Sequence, residues 1–299
     1  MTRESWIIFS FGVYFLLFLG AVVGLGIWKV KRRRARPPVE FKLLRGPGET
    51  LRRRMAKFDE DFIFRIVAAA LGPVLITLLV SWGVLKYRPQ TWTQLWVGFG
   101  LTVLAFVATL IPALRWALRG LMRYRDDRLG YLGERYVGEC LDPLKEHGWH
   151  VFHDVPCETD RKKFNIDHVA VGPGGVWAIE TKTRRKGRAR PGFEPQKVFY
   201  DGKQLIWPWG EDPYGPDQAI DNADWLQKWL TKKTGIKTKV WPVLALPGWY
   251  VVDKAGAALR VVRPEWLSED LPKVGTLLTA DQIDLITRQL DECCRNVED

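Results

Sequence analysis

The sequence has little thiol or imidazole chemistry to offer: four cysteines and four histidines in 299 residues. Cys140, Cys157, Cys293 and Cys294 contain no CxxC pair, and an adjacent pair is poorly placed for a metal or a disulfide. Free thiols in a reducing cytosol are the expected state. His147, His150 and His153 fall at spacing three, as ligands would. However, 149–155 reads as a strand, which points His150 and His153 to opposite faces and argues against structural zinc. Repeats and low-complexity tracts are absent as well.

Charge is missing from three stretches, 5–28, 66–85 and 90–114. Each reaches the roughly 20 residues needed to cross a hydrocarbon core. Trp6, Trp28, Trp82, Trp92, Trp96 and Trp116 sit near their ends, as an aromatic belt would. The first run is too long for a cleaved signal peptide, and its basic cluster follows it. None of the three carries an ionisable residue, which argues against a transporter or channel. The expectation is three transmembrane helices. Lys29, Lys31 to Arg34 and Arg36, then Arg115, Arg119, Arg123 and Arg125, mark the cytoplasmic side. The chain is therefore expected to be a multi-pass protein of the bacterial inner membrane, N-terminus outside and C-terminal domain cytoplasmic.

The net charge of +11 is not spread evenly. Residues 29–65 carry +8 and 115–128 carry +3, whereas 129–299 carry −2. Orientation and anionic lipid account for basic juxtamembrane segments, so the charge alone is no evidence for nucleic acid. The expected organisation is a span at 1–28, a basic cytoplasmic loop at 29–65, a transmembrane hairpin and linker at 66–128, and a globular domain at 129–299. Pro37, Pro38, Gly46, Pro47 and Gly48 predict irregular chain through Phe58.

In the globular part, Leu129, Leu132, Tyr136, Cys140, Leu141 and Leu144 mark one helix face. Strands are expected at 149–155, 164–171 and 176–183, the last two joined as a hairpin by Gly172-Pro173-Gly174-Gly175. A helix at 217–232, with Asp217 as N-cap, strands at 239–246 and 259–262, and a helix at 279–294 capped by Thr279 complete an α/β domain with a mixed sheet.

The hairpin carries the chemistry. With Pro173 and Gly174 at the centre of the turn, Asp167 faces Glu180 and Asn165 faces Lys182. Opposed side chains have Cβ atoms about 5 Å apart, so two carboxylates there repel unless a cation lies between them. Two hard carboxylates suit Mg²⁺ or Mn²⁺, and a neighbouring lysine can neutralise charge growing on a phosphate. That is equipment for phosphodiester hydrolysis. His168 points to the opposite face and reads as structural.

Gly133-Glu134, Trp149 to Val155, Asn165-Ile166-Asp167-His168-Val169, Gly172 to Val176 and Glu180-Thr181-Lys182-Thr183, in that order, resemble the nuclease-related domain of the PD-(D/E)xK nuclease superfamily. The resemblance runs from about Leu129 to Leu230. It implies a restriction-endonuclease-like mixed β-sheet core flanked by helices. It further implies that Asp167 and Glu180 bind metal, that Lys182 assists catalysis, and that Glu134 and Gln218 match an additional acidic and a polar position near the site. Ile166 stands where the superfamily has its nominal proline.

Two basic runs lie at the open end of the hairpin: Arg161, Lys162 and Lys163 entering it, and Arg184, Arg185, Lys186, Arg188 and Arg190 leaving it. A phosphate backbone would pass there, so DNA, or RNA, is the expected partner beside the bilayer and its anionic lipids. A catalytically silent binding module at the membrane is the competing reading.

Overall fold

The computed structural model describes residues 43–87, 89–160, 162–254 and 258–295, together with Gly20 and Gly24. Apart from those two glycines, the first expected span, the basic cluster after it and Arg161 lie outside the described residues. From Leu43 onward the described residues belong to one unit.

Two long helices come first. Helix α1 spans Glu49–Lys86 with 38 residues, and α2 spans Trp92–Leu141 with 50. At 1.5 Å per residue they measure about 57 and 75 Å. Thr91 starts α2 with a capping box, its hydroxyl accepting from Gln94 N while the Gln94 side chain accepts from Thr91 N. Among the described residues these two helices are long and apolar enough to cross a membrane. Leu79, Trp82, Trp96 and Leu104 are each more than 60% exposed on them, an apolar band that water would disfavour.

The helices pack antiparallel along one register. Gly98 meets Val84, Gly120 meets Phe58 and Gly130 meets Leu51. A Cβ on Gly98 would lie 2.3 Å from Val84 Cγ1, so glycine is what lets the backbones approach. The Phe58 ring lies 5.0 Å from Tyr124, and the Arg65 guanidinium lies 4.9 Å over Trp116.

One expectation is corrected here. The chain read as irregular through Phe58 is helical from Glu49, and Gly48, at φ 69°, is the N-cap. The run of Gly and Pro is the entry to a helix rather than a loop. The basic segment at 115–128, part of the expected hairpin and linker at 66–128, is helical and continuous with α2.

A short 3₁₀ turn, Asp142–His147, leads into the domain. Strands β1 (His150–Thr159), β2 (Lys162–Gly172) and β3 (Gly175–Thr181) form an antiparallel meander. Strands β7 (Val240–Ala245) and β9 (Arg260–Val262) extend it in parallel, giving the order β1-β2-β3-β7-β9. A second sheet, not anticipated from the sequence, has the order β6-β5-β4-β8. Its strands are β4 (Lys197–Tyr200), β5 (Leu205–Trp207), β6 (Gly210–Asp212) and β8 (Tyr250–Asp253), each only three or four residues long.

Helix α3 (Tyr214–Thr234) follows β6, α4 (Glu265–Asp270) follows β9, and α5 (Ala280–Arg295) closes the chain. Helix α3 starts before the expected site, with Pro213 as N-cap and Asp217 in the first turn. Thr279 caps α5 as expected, its hydroxyl accepting from Gln282 N. One face of the large sheet packs on α3 and α5 through Val169, Ala178, Leu226 and Leu290. The other packs on the end of α2 and on α4 through Val137, Leu141, Ile179 and Leu267. Helices therefore cover both faces of the sheet, and β3 is buried along its whole length.

The buried face of α2 differs from the expected one. Leu132 and Tyr136 are exposed, while Gly133, Glu134, Val137, Gly138 and Leu141 face inward. A Cβ on Gly133 would lie 1.9 Å from Thr183 Oγ1, and one on Gly138 would lie 2.6 Å from Pro47 Cγ. Close approach at two glycines, more than leucine burial, sets the rotation of this helix.

Candidate active site

The hairpin register is the expected one, His168 opposite Ile179 and Val171 opposite Val176. Asp167 and Glu180 are the next positions in that register, where the β2–β3 ladder has ended. On its other side, β1 pairs His153 with His168 and Val155 with Ile166 but skips the position between, where Asp154 has a left-handed φ of 49°. Asp167 thus stands where both ladders are interrupted. Its Oδ2 accepts from the backbone N of Thr181 at 2.7 Å, filling a role the ladder has given up.

Glu180 lies deeper, 5% exposed, and its Oε2 accepts from Asn222 Nδ2 at 2.9 Å. Glu134, 8% exposed, is carried inward by the close seat of Gly133 on Thr183. Among the described residues it meets no hydrogen-bond donor. Burial raises the pKa of all three carboxyls, and Asp167 adds repulsion to both Glu134 and Glu180. Lys182 pulls Asp167 and Glu180 back toward the charged form.

Helix α3 reads the site with one face. Tyr214, Gln218 and Asn222 follow at steps of four, which stacks them on one side of a helix. Gln218 Oε1 accepts from Lys182 Nζ at 3.5 Å, and the ammonium lies 4.7 Å over the Tyr214 ring. Asn222 was not anticipated, although its spacing from Gln218 is a readable signal.

A cleft of about 540 Å³ opens over Asp167. Its walls come from Glu134, from Lys162 and Phe164 on β2, and from Tyr214 and Gln218. Arg45, Thr50, Leu51 and Arg54, at and before the start of α1, complete it. Glu180 and Lys182 are not among the lining residues.

Asn165 departs from expectation. It lies beyond the end of the β2–β3 ladder, pairs with Pro156 on β1, and its Nδ2 donates to Asp154 Oδ1 at 2.8 Å. Asp154 is the centre of a clasp. Its Oδ2 accepts from Arg45 Nη1 at 3.1 Å, from Thr50 N at 3.0 Å and from Thr50 Oγ1 at 2.7 Å. On the far face of the hairpin, His153 and His168 meet through their Nδ1 atoms at 2.8 Å, both held neutral by burial, His153 down to about 4.

The basic residues divide into two groups. Arg184 is paired with Asp212 at 2.9 Å, and Arg185 with Asp126 at 2.7 Å. Arg185 also donates to Arg125 O, tying the exit of β3 to α2. Arg190 is half-buried, with its guanidinium over Phe193 and its Nη2 donating to Trp207 O. Lys163 faces Glu158 at 3.4 Å. Lys162, which lines the cleft, and the exposed Lys186 and Arg188 have no ion-pair partner among the described residues.

Residues 129–247 match the family model of the nuclease-related domain. No curated protein and no solved structure matches the chain. The match covers β1 to β3, α3 and the end of α2, and therefore every carboxylate of the site. The α1 wall of the cleft lies outside the matched residues.

The donor set of Asp167, Glu180 and Glu134 is all carboxylate oxygen, the chemistry that hard divalent cations take. Asp167 and Glu180 each commit one oxygen to a protein donor and keep the other. Among the described residues, no group of three or more His, Cys, Asp or Glu converges closely enough to hold an ion as it stands. The residues fit such a cation in type.

Proposed function

We propose that this chain is a membrane-tethered, metal-dependent nuclease that hydrolyses phosphodiester bonds of DNA on the cytoplasmic side of the bacterial inner membrane. The observation that carries it is the mutual repulsion of Glu134, Asp167 and Glu180, three carboxylates with few donors, of which Glu134 and Asp167 open into the cleft while Glu180 and Lys182 lie behind its wall. Burial and mutual repulsion make such a group costly to fold. A divalent cation removes that cost, and the nuclease-related domain match supplies the reaction class.

Asp167 and Glu180 would hold Mg²⁺ or Mn²⁺, with Glu134 as a third ligand. A bound cation supplies Lewis acidity toward a phosphoryl oxygen. Lys182, steadied by Gln218 and the Tyr214 ring, places an ammonium where negative charge grows in the transition state. The two apolar helices, with Arg115, Arg119 and Arg123 beyond the apolar part of α2, support the tether and its orientation.

A second reading is a catalytically silent binding module. It is favoured by one observation: Glu180 and Lys182 do not line the cleft. The two readings separate when the full chain, solubilised in detergent, is given plasmid DNA with Mg²⁺ or Mn²⁺. Metal-dependent cleavage that Lys182→Ala abolishes supports the nuclease. Retained DNA binding without cleavage under either metal selects the silent module.

A further inference from the structure

The cleft over Asp167 is lined by carboxylates, so a polyanion entering it needs cations there. Four cationic side chains line it: Arg45, Arg54, Lys162 and Lys163. One of them is committed, and a second is paired only at the surface. Arg45 is spent on Asp154, donating to its carboxylate and to its backbone O at 2.9 Å. Lys163 faces Glu158. Lys162 has no ion pair among the described residues. Arg54 makes no hydrogen bond among the described residues: its Nη1 keeps a loose contact with Asp127 Oδ1 at 3.9 Å, its side chain is 62% exposed, and its charge draws the nearby Glu134 toward the ionised form.

Such an exposed pair at the limit of contact contributes between nothing and about 1 kcal/mol. A guanidinium meets a phosphate with two parallel N–H donors, a stronger geometry than this one. Arg54 is also held in place. It lies one turn beyond Thr50, which the Asp154 clasp fixes, and three residues from Leu51, which packs on Gly130. The backbone carrying the guanidinium is thereby fixed against the domain, while its tip keeps donors that no hydrogen bond among the described residues takes up.

We infer that Arg54 is a substrate-binding residue, its guanidinium taking a phosphate of the nucleic-acid backbone beside the one attacked, with Lys162 on β2 taking another. The inference rests on the nuclease reading of the same cleft and extends it. It assigns part of the binding site to a helix that begins about 80 residues before the matched domain. A protein reduced to the nuclease-related domain would keep the carboxylates and lack this wall.

The test uses the full chain in detergent, in a Lys182→Ala background that keeps the probe, linear duplex DNA with Mg²⁺, intact. Arg54→Gln is expected to weaken binding about tenfold, the size of one charged hydrogen-bonded contact. It should also reduce the slope of log affinity against log salt by roughly 0.9. Arg54→Lys should keep the slope and recover part of the affinity. Asp127→Asn frees Arg54 and should leave binding unchanged or tighter. Equal losses in Arg54→Gln and Asp127→Asn with an unchanged salt slope would mean that the pair merely holds α1 to α2, and would overturn the assignment. Wild-type affinity in Arg54→Gln would overturn it as well. If the chain carrying Arg54 neither binds nor, with Lys182 restored, cleaves DNA, the nuclease reading falls and takes this inference with it.

Discussion

Two kinds of carboxylate meet in and behind the wall of the cleft, and the protein treats them in opposite ways. Asp154 accepts from Arg45, from Asn165 and twice from Thr50. Burial still lifts its pKa, while those donors pull it back. Asp167 and Glu180 accept one protein donor each, and Glu134, among the described residues, none. A carboxylate removed from water and left without donors is costly, so a fold serving stability alone would treat all four like Asp154. The contrast separates a fastening, whose acid is saturated, from the proposed metal site, whose acids keep lone pairs that no protein donor takes up.

Substitutions can break or sharpen that contrast. The largest effect is expected for Lys182→Ala, which should lower the cleavage rate by at least about a hundredfold, the loss typical of removing one preorganised charge stabiliser. Rate and DNA affinity measured together check this. A loss of affinity at constant turnover would make Lys182 a binding residue instead. Next is Asp154→Ala, which leaves the Arg45 cation and the Asn165 and Thr50 donors without their partner. Breaking a buried pair from one side costs about 3–5 kcal/mol, read by chemical denaturation of the solubilised chain. A cost near zero would show that the clasp does not hold α1 to the domain.

The smallest effect has the opposite sign. In metal-free protein, Asp167→Asn should raise stability by about 1 kcal/mol or less, because it removes a raised pKa and relieves two carboxylates. The folded pKa of Asp167 exceeds its unfolded value, so between the two the folded state holds a proton that the unfolded state has released. Wild-type stability from this group therefore grows as pH falls through that window and is level below the ordinary carboxylate range. The advantage of Asp167→Asn should shrink accordingly as pH approaches about 4, the unperturbed value. Thermal melts across pH, with and without Mg²⁺, check the sign, since added cation should favour the wild type alone.

Legibility followed sequence distance. The hairpin is local: Gly172 to Gly175 set the turn, alternation set the faces, and the register with His168 on the far side is as read. The capped α5 is local too. The clasp joins Arg45 and Thr50 to Asp154 across more than 100 residues, and no spacing pattern spans that gap. Arg184 and Arg185 look like a phosphate-binding run until Asp212 and Asp126 arrive from elsewhere in the chain. The inward face of α2 was misread because Gly133 and Gly138 carry no apolar signal, although their missing side chains decide the packing. Four strands of three or four residues are too short to establish a period.

One unbroken helix passes from the apolar hairpin to Glu134. Each residue of an α-helix turns the chain by about 100°, so the azimuth of everything attached to α2 depends on a count. One residue added between Trp116 and Gly120 would swing Glu134 about a quarter-turn away from Asp167, while Phe58 and Leu51 on α1 would find side chains where they now find glycine. Compensating would take a matching insertion in α1, because the two helices mesh like racks along a shared set of teeth at Gly98, Gly120 and Gly130. The compass bearing of the cleft, relative to whatever grips the apolar end, is written into the number of residues in that stem.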